Sequence, residues 1–216
     1  MSGYPIMLHL NDKPVAVVGG GRVAARKIKR LSEAGARVIV ISPRIEPGIR
    51  DLLSDGDIVW IQSQYQRDMF NDYMPILVIA ATDDERVNQT VAQDAHRIRA
   101  LCNVANGSSE HSDFSNMAQI EKPPLTIALS TNGKSPALLR TLKAKLSHDI
   151  GAEYAVLADW LGAIRREAQE PQGSQRARQT LYEDILDSKV LPLLRAGHQN
   201  EARQVFQQII NAGAPK

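Results

Sequence analysis

Over the first half of the chain, short apolar runs alternate with stretches of helical spacing. Lys13 to Val18 is an apolar, β-branched run that ends in three glycines and reads as a buried strand. From 22 to 34, apolar or small residues at Val23, Ala24, Ile28, Leu31 and Ala34 follow the helical period, and Gly35 stops the helix. Arg37 to Ser42 forms a second strand closed by Pro43, residues 49–53 a short helix, and Asp57 to Ile61 a third strand. Pro75 to Ala81 is the strongest apolar run. Thr82, Asp83, Asp84 and Glu85 then cap a helix to about Arg99, and Leu101 to Ala105 is a fifth strand. This order predicts an α/β fold in which helices cover both faces of a parallel sheet.

The pattern changes after residue 106. Asn106 to Asn116 is a polar loop, Pro123 and Pro124 introduce a strand at 125–129, and Asn132-Gly133 is a turn before a long helix from near Pro136. From Ile150 onward no strand pattern remains. Helices are expected over 153–169, 175–195 and 199–211, separated by Pro171 to Gly173 and by Gly197. The expected division is an α/β domain at 1–112, a short segment at 113–149 and a helical domain at 150–216.

Composition narrows the function classes. A chain of 216 residues that is 43% hydrophobic and 23% charged is ordinary for a soluble globular protein. A net charge of +2 gives no argument for nucleic acid. The single Cys102 excludes a disulfide framework and a cysteine-only metal site within the chain, and it fits a reducing cytoplasm. The N-terminus lacks a basic flank followed by an apolar run, so no signal peptide is expected, and no apolar stretch is long enough for a membrane span. His9, His96, His148 and His198 are scattered without ligand spacing, and no structural metal site is expected. The basic residues Arg22, Arg26, Lys27, Lys29 and Arg30 of the first helix read mostly as its water-facing side.

Two polar turns carry candidate chemistry. Gly19, Gly20, Gly21, Arg22, Val23 and Ala24 fit the G-x-G-x-x-G/A dinucleotide fingerprint between a strand and a helix. Gly19 permits the tight turn, Gly21 lets backbone approach a pyrophosphate, and Ala24 allows close helix–strand packing. At the end of the second strand, where NAD sites place an acid, stand Ser42, Pro43 and Arg44. Ser42 suits a ribose hydroxyl and Arg44 a 2′-phosphate, so the choice between NAD and NADP stays open. Thr82 stands at the carboxyl edge of the sheet, where either it lines the cofactor cleft or the helix is capped by Thr82 or Asp83. The second turn, Gly133-Lys134-Ser135, imitates the end of a triphosphate loop. That loop requires a glycine where this chain has Ala128, inside a strand, so the reading fails.

Taken in order, Tyr4 to Leu10, the glycine turn with Val23-Ala24, Ser42-Pro43, Ala80 to Asp83, Asn103-Val104 and Ser130 to Pro136 resemble the precorrin-2 dehydrogenase family. This is the oxidase/ferrochelatase module of siroheme synthases, and the resemblance runs from about residue 4 to residue 146. It implies a Rossmann domain, a dimerisation segment at 113–149 and a helical domain, assembled as a homodimer. It implies NAD as cofactor and oxidation of precorrin-2 to sirohydrochlorin, with iron insertion in some relatives. Cofactor contacts fall on Gly19, Gly21, Arg22, Val23, Ser42, Pro43, Thr82 and Asn103. The tetrapyrrole's carboxylates fall to Ser130, Thr131, Lys134, Ser135 and Arg140, on a helix N-terminus of suitable sign. Lys143 shares a helical face with Arg140.

The family's Asn-Val-x-Asp carboxylate is here Asn106. An amide is no general base near neutral pH. Three readings stay open: a base from the following loop, with His111 ahead of Asp113; proton loss to water; or a non-catalytic carrier or sensor. The same change predicts weak or absent chelatase activity, because an amide escorts neither pyrrole protons nor iron as a carboxylate does.

Overall fold

The computed structural model describes residues 3–53, 56, 58–105, 109–167 and 175–213. The chain divides once, into Met1–Asn116 and Met117–Lys216. Residues 113–116, expected in a middle segment, therefore belong to the first unit. The rest of that segment shares a unit with the C-terminal helices.

In the first unit the strands are β1 (Pro14–Val18), β2 (Arg37–Ile41), β3 (Ile58–Ile61), β4 (Leu77–Ala80) and β5 (Leu101–Val104). They form one fully parallel sheet in the order β3-β2-β1-β4-β5. The connecting helices are α1 (Arg22–Glu33), α2 (Pro47–Leu52) and α3 (Glu85–Arg97). Helix α2 starts earlier than expected because Pro47 has its φ set for the first helical turn and lacks an N–H that would go unbonded. The predicted start of the third strand at Asp57 lies outside the described residues.

Strand residues alternate between two cores, as a sheet covered on both faces requires. Val15, Val17, Val38, Val40, Leu77 and Ile79 pack with Ala24 and Ile28 of α1 and Ile49 of α2. Ala16, Val18, Ile39, Ile41, Val78 and Ala80 pack with Val91, Ala92 and Ala95 of α3. The chain runs outward from β1 to β3 and returns to β4 on the other side of β1. The carboxyl end of β1 is thus the point where connections diverge, the place where such sheets open a ligand crevice.

The second unit holds β6 (Ala118–Lys122) and β7 (Leu125–Leu129), an antiparallel hairpin joined at Pro123-Pro124, then α4 (Pro136–Asp149). Strand β6 was not expected: only Ile120 of its five residues is buried, so its apolar signal is weak. Helices α5 (Ala152–Glu167), α6 (Gln175–Asp187), α7 (Val190–Arg195) and α8 (Gln199–Gly213) follow. The expected continuous helix over 175–195 is interrupted because Pro192 has no N–H to donate to Ser188 and its ring would clash with that carbonyl. Ser188 bridges the break, its hydroxyl donating to Ile185 O at 2.7 Å and accepting from Val190 N at 3.1 Å. Leu157, Ile185, Val190, Ala202 and Phe206 form the core of these helices. The expected breaker Pro171 to Gly173 and the last residues of the helix expected to 169 lie outside the described residues. Among the described residues no helix is long and apolar enough to cross a membrane.

Candidate functional site

The glycine turn stands between β1 and α1 at the carboxyl edge of the sheet. Gly19 adopts φ +120°, and a Cβ there would collide with the carbonyl of Ala81 beyond the end of β4. Gly20, to which the sequence assigned no role, is equally constrained: a Cβ would strike the carbonyl of Arg44 and lie 2.8 Å from Ser42 Oγ. Gly21 differs. It caps α1 in extended conformation, and a Cβ there would meet no protein atom within 4 Å. The fold therefore demands glycine at 19 and 20, whereas at 21 the chain's own packing does not. The turn fits a pyrophosphate, because a bare backbone at Gly21 leads into the N–H groups and positive dipole end of α1. Arg22 and Val23 are the first residues of that helix.

The segment after β2 is pinned against this turn. Ser42 is buried; its hydroxyl donates to Arg44 O at 2.7 Å and its carbonyl accepts from Trp60 Nε1 at 2.9 Å. Glu46 N donates to Gly20 O at 2.8 Å. The hydroxyl proton expected for a ribose is thus used to shape the 42–46 turn, which leaves Pro43 and Arg44 exposed.

Across the crevice, Thr82 belongs to a closed network with the buried Asn88. Thr82 Oγ1 lies 2.8 Å from Asn88 Oδ1 and 3.0 Å from Asp84 O, and Asn88 Nδ2 donates to Thr82 O at 3.0 Å. The cap of α3 is neither Thr82 nor Asp83 but Asp84, whose carboxylate accepts from Arg86 N at 2.8 Å and Val87 N at 3.3 Å.

Residues after β5 fold back along its outer edge. Ser112 Oγ accepts from Val104 N at 3.0 Å. Asp113 N donates to Cys102 O at 2.8 Å, and its carboxylate accepts from Cys102 N at 2.8 Å. The same oxygen lies 3.0 Å from His96 Nε2. The Asp113 carboxylate completes the backbone hydrogen bonding of an edge strand and pairs with His96, a partner that spacing did not reveal. The buried Cys102 thiol is pushed up to about 12 by burial and by the Asp113 charge. Asn103 is likewise committed, with Nδ2 donating to Phe114 O at 2.9 Å and Oδ1 accepting from Lys27 Nζ at 3.2 Å.

Lys27 is therefore not on the water-facing side of α1. It is half-buried and pairs with an amide rather than a carboxylate. Burial first, then Arg26 and Arg30, hold its ammonium below the ordinary lysine range. His111 closes a short 3-10 turn at Ser109–His111, partly exposed. Asn106 lies outside the described residues.

In the second unit, Ser130 to Pro136 form a tight cap for α4. Ser135 Oγ accepts from Leu138 N at 3.2 Å, and Thr131 Oγ1 accepts from Ser135 N at 3.2 Å. Ser130 Oγ accepts from Asn132 N at 3.0 Å, and Gly133 takes φ +75°. Of the five residues expected to meet substrate, three hydroxyls are thus occupied in building the turn. Lys134 and Arg140 are exposed.

A family model described as putative NAD(P)-binding matches residues 6–118, and one described as the sirohaem synthase dimerisation region matches 153–210. The dimerisation description thus falls on the C-terminal helices, not on 113–149 as expected. The siroheme synthase of Sodalis glossinidius (strain morsitans) is 33% identical over 99% of this chain and 45% of that protein. The siroheme synthase of Psychrobacter cryohalolentis is 35% identical over 94% of this chain and 38% of that protein. The chain spans less than half the length of these curated relatives. A solved structure titled SirC, precorrin-2 dehydrogenase, superposes with TM-score 0.78 at 26% identity, over 97% of this chain and 100% of that one.

Proposed function

The chain belongs to the siroheme synthase N-terminal, precorrin-2 dehydrogenase family, and on that premise we propose that it oxidises precorrin-2 to sirohydrochlorin with NAD. The observation that carries the reading is Gly21, a backbone position bare of side chain for no packing reason, at the mouth of α1 where the sheet's connections diverge. Gly19 to Val23 hold the pyrophosphate, and Ser42, Pro43, Thr82 and Asn103 shape the walls around it. Bound NAD supplies the hydride acceptor. The chain's own task is to hold the reacting carbon against it and to take up a proton.

For that proton we assign His111. Asp113 has its carboxylate on the Cys102 N–H and His96, and an amide at Asn106 does not titrate. The tetrapyrrole's carboxylates pair with Lys134 and Arg140, whose turn is preformed by Ser130, Thr131 and Ser135. Iron insertion is weak or absent, because Asn106 replaces the carboxylate that would receive pyrrole protons. The protein acts as a homodimer through residues 153–210, in the cytoplasm, where a lone free cysteine stays reduced.

The test is an anaerobic assay of purified protein with precorrin-2 and NAD, following NADH absorbance and then adding ferrous ion. Reduction without metal insertion is expected. His111→Ala should lower the rate while unfolding at the wild-type Tm, and Lys134→Ala with Arg140→Ala should raise KM more than they lower kcat. Folded protein that binds the tetrapyrrole but reduces no cofactor would make the chain a carrier instead.

A further inference from the structure

One lysine of α1 is turned inward by the fold. Helical side chains lean toward the N-terminus of their helix, and from the sixth position of α1 the Lys27 ammonium reaches Asn103 Oδ1 of β5 at 3.2 Å. Asn103 stands level with Ile79 of β4, and Ile79 with Val17 of β1, two residues short of Gly19. The ammonium therefore lies just under the carboxyl edge of the sheet, on the β4–β5 side of the glycine turn. A dinucleotide laid across that turn has its adenosine over β2, so its reactive end extends over β4 and β5. Asn103 Oδ1 also accepts from Asn116 Nδ2 at 3.4 Å, while its own amide nitrogen donates to Phe114 O at 2.9 Å. One oxygen thus tethers two donor side chains, and neither is saturated, since an ammonium has three N–H bonds and an amide two. Among the described residues no carboxylate pairs with Lys27, and the charges that bear on it are those of Arg26 and Arg30. Asn116 is exposed, so the cluster opens to solvent.

We propose that Lys27 and Asn116 form an anion subsite that takes one carboxylate of the tetrapyrrole's rim and so sets the macrocycle against the nicotinamide. The inference rests on the reading of this chain as a precorrin-2 dehydrogenase and adds a substrate contact within the first unit. A carboxylate accepts through both of its oxygens, and the free N–H bonds of Lys27 and Asn116 converge because Asn103 Oδ1 holds both side chains. The bound carboxylate supplies the counter-charge that Lys27 lacks within the fold. Asn103 does not itself require a lysine. Its bond to Phe114 O already orients the amide, and an apolar side chain of similar length would cover it without burying a charge. The competing anion is the cofactor's pyrophosphate, which belongs at the N-terminus of α1, about 7.5 Å along the axis from Lys27.

The experiment compares the full chain as wild type, Lys27→Met and Asn116→Ala. It reads Kd for NAD by titration calorimetry, Kd for sirohydrochlorin by fluorescence quenching, and KM and kcat for precorrin-2 in the anaerobic NADH assay. Both variants should fold, since one removes a half-buried charge and the other an exposed amide; thermal melts check this. Lys27→Met should raise KM and the sirohydrochlorin Kd by about tenfold or more, the size of a lost charged hydrogen bond, and leave the NAD Kd within about twofold. Asn116→Ala should raise the same two constants by about two- to fivefold, the size of a neutral one. Lys27→Met with wild-type KM and sirohydrochlorin Kd overturns the proposal. So does a Lys27→Met variant that loses NAD affinity, which assigns the lysine to the pyrophosphate. A loss of about 100-fold in kcat at unchanged KM and Kd also overturns it and makes Lys27 a proton-transfer group. If Lys27→Met does not fold, Asn116→Ala with wild-type constants overturns the proposal by itself. Wild type that binds sirohydrochlorin but reduces no NAD overturns the dehydrogenase reading, and the sirohydrochlorin Kd of the variants still decides the subsite. Wild type that binds no tetrapyrrole overturns both.

Discussion

Asp113 separates a structural carboxylate from a catalytic one by a pair of substitutions. In Asp113→Ala, the buried Cys102 N–H loses an acceptor at 2.8 Å and His96 loses its partner at 3.0 Å. A charged hydrogen bond to a buried donor contributes about 1.5–3 kcal/mol and an exposed ion pair about 0–1 kcal/mol. Together they amount to about 2–4 kcal/mol. At about 2–4 °C per kcal/mol for a chain of this size, Tm should fall by about 5–15 °C. Asp113→Asn keeps an oxygen that accepts the same N–H and loses only the charge, so its Tm should stay within about 4 °C of wild type. Far-UV circular dichroism melts give Tm, and the anaerobic NADH assay gives turnover on the same samples. If Asp113 holds the loop and does no proton transfer, turnover tracks stability and Asp113→Asn is nearly as active as wild type. An Asp113→Asn protein that melts with wild type yet loses about 100-fold or more in kcat, as removal of a general base does, would refute the reasoning.

Three further outcomes follow from the geometry. Gly19→Ala forces a residue with Cβ to φ +120° against the Ala81 carbonyl, costing about 3 kcal/mol or more, whereas Gly21→Ala should unfold within about 0.5 kcal/mol of wild type and lose NAD affinity by about tenfold or more; melts and calorimetry distinguish the two. The Cys102 thiol, pushed up to about 12, stays protonated in the folded state and should resist a thiol-reactive disulfide reagent at pH 8 until the protein unfolds. Its contribution to stability is complete below about pH 9 and is lost between there and about pH 12, which denaturant titrations across that range check. Lys27 shows the opposite dependence: with its folded value below 10.5, stability rises with pH on the approach to 10.5 and levels off above it. Lys27→Met should therefore stabilise the protein at pH 7 by about 1 kcal/mol or less and lose that advantage toward pH 10.5.

The sheet is legible because its inner strands β1, β2 and β4 are short runs of mostly buried apolar residues, and the glycine turn because β1 ends directly in it. The hairpin strand β6 was not, since Gln119, Glu121 and Lys122 carry no apolar alternation beyond Ile120. Candidate residues were found by type, but residue type does not reveal which atoms are already bonded. Asp113 reads from the sequence as a carboxylate in a polar loop, and its tie to Cys102 depends on the chain folding back along β5. Lys27 looked solvated because its neighbours on α1 are basic, yet the Asn103 amide that it meets is 76 residues away. The fingerprint admits any residue at position 20, while this fold brings the Arg44 carbonyl against it.

A common division of labour runs through both units. Small polar side chains are consumed internally: Ser42 shapes the turn under Arg44, Thr82 locks to Asn88, Ser112 and Asp113 close the edge of β5, and Thr131 and Ser135 build the cap of α4. None of these groups then has to reorganise when a ligand arrives, which is the preorganisation that lowers the cost of binding. The cations are treated differently. Arg44, Lys134 and Arg140 are exposed and form no ion pair among the described residues, and Lys27 faces an amide. Other cations are held in pairs: Asp94 bonds Tyr65, Arg67 and Arg97, and Glu153 bonds Arg195. Exposed cations held beside rigid turns are suited to ligands that carry negative charge.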